Sequence, residues 1–122
     1  MTLKNQLEEQ LALVKEKAQT AKSAYKYCFE FIKSFFTKEL IDDHLNRIFA
    51  LKKIELENTF NRLDKLLKYL IVFEKHKEMI LYKDITTSNA VNLLDELKDE
   101  LNNIIAEVQG LTIFLEERLK QQ

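Results

Sequence analysis

Apolar residues recur at Leu7, Leu11, Val14, Ala18, Ala21, Tyr25, Cys28, Ile32 and Phe35, in steps that alternate between four and three. No other feature restricts the fold so strongly. A spacing that averages 3.5 residues keeps one stripe along one side of an α-helix, whereas on a strand it would scatter over both faces. Ala90, Leu94, Leu97, Leu101, Ile104, Val108, Leu111 and Leu115 repeat the alternation. Between these runs a third seam reads Leu45, Phe49, Lys52, Leu56, Phe60, Leu63, Leu67 and Leu70, with two successive steps of four around Leu56. Such a stutter relaxes the local supercoil, and Lys52 inside the seam is expected to extend its ammonium toward water.

Composition removes the alternatives. The 122 residues include no Pro and a single Gly, so the punctuation that hairpins, sandwiches and phosphate-binding loops require is missing. The pattern predicts an all-α chain forming one helical-bundle domain over 1–122. Its arrangement is an antiparallel up-down-up three-helix bundle with coiled-coil-like heptad packing, the long helices spanning about 2–36, 38–82 and 88–121. Thr2 is placed to cap the first helix and Ser34 and Thr37 to end it, while Glu39, Asp42 and Asp43 suit the start of the second. Ala18 and Ala21 thin the waist of the first helix and admit a close neighbour. Lys83 to Asn89 reads as a loop, with Ile85 stapling onto Ala90 if Thr86 is the cap. The second helix would be about 65 Å long and outrun its neighbours, so it overhangs or bends near Asn58–Asn61. Neither Gly nor Pro enforces the first turn, so a single helix over 2–82, a rod of about 120 Å, is the competing architecture.

The net charge of −1 argues against a general affinity for nucleic acid or anionic lipid. Residues 1–36 carry six Lys against four Glu, residues 37–83 ten basic against eight acidic, and residues 84–122 three basic against eight acidic. An acidic third segment beside two mildly basic ones suits helices packed within one molecule. Lys52, Lys53, Arg62, Lys65, Lys68, Lys75 and Lys77 invite a nucleic-acid reading, but Glu55, Glu57, Asp64, Glu74 and Glu78 interrupt them, as on a solvated face. The longest uncharged apolar run, Tyr69 to Phe73, is too short to span a bilayer. Its side chains point around the helix, which suggests burial between neighbours. The start lacks the apolar core of a signal peptide, and one cysteine cannot form an internal disulfide, so the expected setting is cytoplasmic.

No catalytic constellation emerges. A carboxylate-bridged metal site in a bundle wants Glu-x-x-His, yet Ile41 and Phe73 stand three residues before His44 and His76. Cys28 lies on the first seam without a histidine in helical reach, which fits a small buried hydrophobe better than a nucleophile. The chain calls for no cofactor, no metal and no small-molecule substrate, and is not expected to be an enzyme.

What exceeds the needs of a core is a block at Tyr25–Phe36 that holds six of the twelve aromatic residues. Projected at about 100° per residue, Tyr25, Cys28, Ile32 and Phe35 continue the seam, Phe29 and Phe31 fall about 80° to either side, and Tyr27 falls about 120° away. In the third helix Ile113 and Phe114 also project outside the core face, with Gly110 one turn earlier leaving a notch. In an up-down-up bundle these residues reach about the same height, and Leu40, Ile48, Phe49, Leu51 and Ile54 close the same end. Tyr27, Phe29, Phe31, Gly110, Ile113 and Phe114 are therefore the candidate protein-binding surface, an apolar pole larger than a monomer covers. The function read from this is a non-enzymatic protein–protein interaction module of adaptor, chaperone or inhibitor type, binding a protein partner or forming a homodimer. A structural coiled-coil rod is the alternative, and a nucleic-acid-binding regulator comes third.

Overall fold

A computed structural model describes residues 2–38 and 42–121. The described chain is all-helical, in four helices rather than three: α1 (Leu3–Phe36), α2 (Asp43–Lys75), the single turn α3 (Lys77–Ile80) and α4 (Asp84–Lys120). No described helix is long and apolar enough to cross a membrane. Glu39 and Leu40, expected to open the second helix and to close the pole, lie outside the described residues.

The helices pack against one another along the apolar seams. Lys15 pairs with Glu74 and Lys77 with Glu8 (3.4 Å), while Tyr25 meets Phe60 and Phe35 meets Phe49. Early α1 thus lies beside late α2, so the two helices run in opposite directions and a continuous helix over 2–82 does not form. Lys52 lies over the Phe114 ring (4.7 Å) while Arg62 reaches Glu107 (2.7 Å) and Glu100 (3.9 Å), so α4 runs antiparallel to α2 and puts its acidic face to use within the molecule. α1 packs most intimately against α4. Ala18 and Ala21, both buried on that waist, permit the approach.

The first seam is buried at every position except Tyr25, which is half-buried. The other two seams depart from the count of apolar residues. Thr59 takes the inward place expected of Phe60, and Thr112 the one expected of Leu111. In α2 the step from Leu56 to Thr59 is three, so the buried stripe keeps the alternation that Phe60 would have broken; in α4 the step from Val108 to Thr112 is four, because a helix of 3.6 residues per turn lags a strict 3.5-residue repeat. Both threonines are satisfied by the preceding turn, donating to the carbonyls of Glu55 (3.0 Å) and Val108 (3.1 Å). Phe60 moves to the flank, where its ring centroid is 4.7 Å from that of Tyr25. Lys52 pairs with Glu55 (3.0 Å) with its stem half-buried, in keeping with the snorkelling expected of it.

The helix ends correct the sequence reading in three places. α2 begins at Asp43, not about residue 38, because Asp42 caps it by accepting the N–H groups of His44 (2.9 Å) and Leu45 (3.2 Å). α2 runs unbroken through Asn58–Asn61 and breaks instead at His76, where φ is −108° and ψ is 20°. The late start and this break bring α2 to 33 residues against 34 in α1, which removes the overhang. Finally, α4 begins at Asp84 rather than 88. Thr86 does not cap forward. Its hydroxyl and that of Thr87 instead donate backward, to the carbonyls of Ile80 and Lys83, at 2.7 and 3.0 Å respectively. These bonds satisfy carbonyls at the α3–α4 turn and let the helix extend into the expected loop.

Candidate protein-binding surface

Tyr27 is 61 % exposed on the flank of α1 that faces α4, where its hydroxyl donates to Oε1 of Glu116 at 3.5 Å. Ile113, 59 % exposed, precedes Glu116 by three residues and therefore shares its side of α4. These two residues border the same outer groove between α1 and α4. Phe31, one turn beyond Tyr27, is half-buried, its ring 6.2 Å from Phe49.

The remaining members of the candidate set lie elsewhere. Phe29 occupies the other flank of α1. Its ring lies 5.9 Å from that of Tyr25, and it lines an α1–α2 cleft with Phe36, Lys53 and Leu56. Gly110 and Phe114 line a third depression, about 490 Å³, on the α2–α4 side with Lys52, Glu55, Asn58 and Glu107. Phe114 is held there between cations, its centroid 4.7 Å from the Lys52 ammonium and 4.8 Å from the Arg118 guanidinium. The notch expected beside Gly110 is thus bordered by Phe114 and polar side chains, and Ile113 does not line it. The six residues share a height but divide over three faces, because successive flanks of one helix meet different neighbours.

A Cβ added at Gly110 would meet nothing within 4 Å. The glycine is not required for packing within the chain. Gly110→Ala should therefore stabilise the fold by about 1 kcal/mol, seen as a higher urea midpoint. A lower midpoint would mean that something packs against this position in solution.

The polar chemistry nearby is quiet. Burial raises the Cys28 thiol above its ordinary pKa, partly opposed by a hydrogen bond with Thr112, so the nucleophilic thiolate is disfavoured. Burial and the neighbouring Glu57 carboxylate likewise raise the Tyr25 phenol, which stays neutral. Among the described residues, no three His, Cys, Asp or Glu side chains converge on a common point.

Sequence projection missed other exposed apolar surface. Tyr69, Ile71 and Val72, expected to be buried between neighbours, are exposed, with Leu70 turned inward and Phe73 half-buried. Leu51 and Ile54, assigned to the pole, stand on the outer side of α2. Met79, Tyr82, Ile85 and Leu93 are exposed at the opposite end of the molecule, so apolar surface is not confined to one pole. The signal lies in outward-facing steps on α2, which a count of apolar residues alone assigns to the core. Searches against protein-family models, curated sequences and solved structures returned no match to this chain.

Proposed function

We propose that this chain is a non-enzymatic protein–protein interaction module, an adaptor, chaperone or inhibitor that presents an apolar surface on a rigid helical frame. The frame is an up-down-up core of three long helices with coiled-coil-like seams, α3 being the remnant of an interrupted second helix. The observation that carries this reading is that Tyr27 and Ile113 are each about three-fifths exposed, with Tyr27 reaching Glu116 one helical turn from Ile113. Burying two such side chains contributes roughly 2 kcal/mol each before the costs of association, enough to dominate a modest interface. Phe31 extends this patch, whereas Phe29, Gly110 and Phe114 belong to neighbouring faces and would be reached only by a partner that wraps around an edge. A protein partner or a second copy of the chain suits the surface, and a reducing, cytoplasmic setting suits the lone thiol.

Replacing Tyr27 and Ile113 together by Lys tests the assignment. The double variant should keep its helicity and cooperative unfolding and lose capture of the partner at least tenfold. Unchanged capture would remove the patch from the interface, and loss of cooperative unfolding would show that the pair belongs to the core.

A further inference from the structure

The outward side of α2 carries Leu51, Ile54, Asn58, Asn61, Lys65, Tyr69 and Val72, in steps of three, four, three, four, four and three, and all seven are exposed. The opposite side of the helix buries Leu45, Phe49, Leu56, Thr59, Leu63 and Leu70 against α1 and α4. α2 therefore has two stripes at helical spacing, one in the core and one turned outward, whose Asn58, Tyr69 and Val72 border α4 along one edge while staying exposed among the described residues. The outer stripe is apolar at both ends and polar in the middle. Leu51, Ile54, Tyr69 and Val72 are each more than half exposed.

This stripe is complementary to itself when reversed. A two-fold axis through the point midway between residues 61 and 62 exchanges Leu51 with Val72, Ile54 with Tyr69 and Asn58 with Lys65. We propose that a second copy of this chain docks on the outer face of α2, antiparallel and in this register, to form an isologous dimer.

Charge selects the arrangement. In the antiparallel register Lys65 faces Asn58 of the second copy, so the cation meets an amide acceptor. Parallel pairing would set Lys65 against itself. A slip of one heptad would place Leu51 on Lys65 in one direction, and Lys65 on Lys65 in the other. On one rim Glu57 comes within about 3 Å along the axis of Lys68 from the second copy, whose ammonium it would share with that copy's own Asp64 (2.9 Å). The apolar ends bury on the order of 100 Å² per side chain, or roughly 800 Å² over two copies. With the polar middle, the contact reaches the lower end of specific interfaces, about 1,200 Å². That size suits a dimer that dissociates on dilution. The face is separate from the Tyr27–Ile113 groove, so a dimer would leave that groove free for another protein.

Sedimentation equilibrium on the full chain, up to about 1 mM, tests the proposal. The wild type should approach twice its 14.5 kDa mass. Ile54→Lys with Tyr69→Lys should weaken dimerisation at least tenfold without altering helicity, and Tyr27→Lys with Ile113→Lys should dimerise like the wild type. Oxidation with copper phenanthroline then reads the register. Leu51→Cys and Val72→Cys chains should cross-link when mixed and not when either is alone, because like positions lie about 32 Å apart. A wild type that stays monomeric throughout overturns the proposal, as does a dimer insensitive to the α2 lysines or a cross-link in the Leu51→Cys chain by itself. These results decide only where a second copy binds; capture of a different protein through Tyr27 and Ile113 fails or succeeds by its own double variant.

Discussion

Phe49→Ala should lower stability by about 3–5 kcal/mol, a large share of the 5–15 kcal/mol that holds a domain of this kind together. Phe49 is fully buried. Its ring stacks on Phe35, with centroids 3.7 Å apart and planes inclined by 11°, and Phe31 lies 6.2 Å away. No Gly or Pro shapes the connection between α1 and α2, so this aromatic cluster closes the hairpin that sequence punctuation leaves unspecified. Removing the ring opens a cavity at the one place where the two helices must be held after their turn. Thermal unfolding followed by far-ultraviolet circular dichroism should show a Tm lower by more than about 10 °C. Phe49→Leu should lose less, since most of the volume stays filled. Equal losses in the two variants would mean that the cavity is not the cause.

Ala21→Leu should destabilise by about 1–3 kcal/mol for the opposite reason. Ala21 is fully buried in α1, which packs more extensively against α4 than against α2. The added isobutyl volume has no space to enter, so the helices must separate or the side chain must leave its preferred rotamers. A urea midpoint measures the loss, and Ala12→Leu serves as the control, because Ala12 is exposed and substitution there should stay within about 0.5 kcal/mol. The same wedge would shift Tyr27 relative to Glu116 and Ile113. Ala21→Leu is therefore also expected to weaken capture of a partner at the α1–α4 groove while leaving α2-mediated self-association intact.

Much of the fold was legible in the residues, for a reason that is local. In α1 the alternation of fours and threes marks the buried stripe from Leu7 to Phe35, and the Thr2 cap accepts the N–H of Asn5 at 3.2 Å as its side chain suggests. Periodicity of this kind needs only the geometry of a single helix. The interruption at His76 was not legible, because the residues around it favour a helix well enough. The Thr-Thr-Ser-Asn stretch could satisfy carbonyls behind it or N–H groups ahead of it, and which it does depends on α3 being folded against it.

The candidate surface divides along the same line. Projection around one helix correctly separates Tyr27 from the core stripe and places Ile113 outside its own, because exposure on a helix is set by angle. An all-helical chain, the inward stripes and the excess of aromatic side chains between Tyr25 and Phe36 follow from residue order alone. Which neighbour stands on which flank follows from how the helices pack. That sent Phe29 to the α2 side, joined Tyr27 with Ile113 on the α4 side, set Gly110 and Phe114 in a separate depression, and left the outer stripe of α2 uncovered. A helix projection holds one axis, whereas a surface is made where several axes meet.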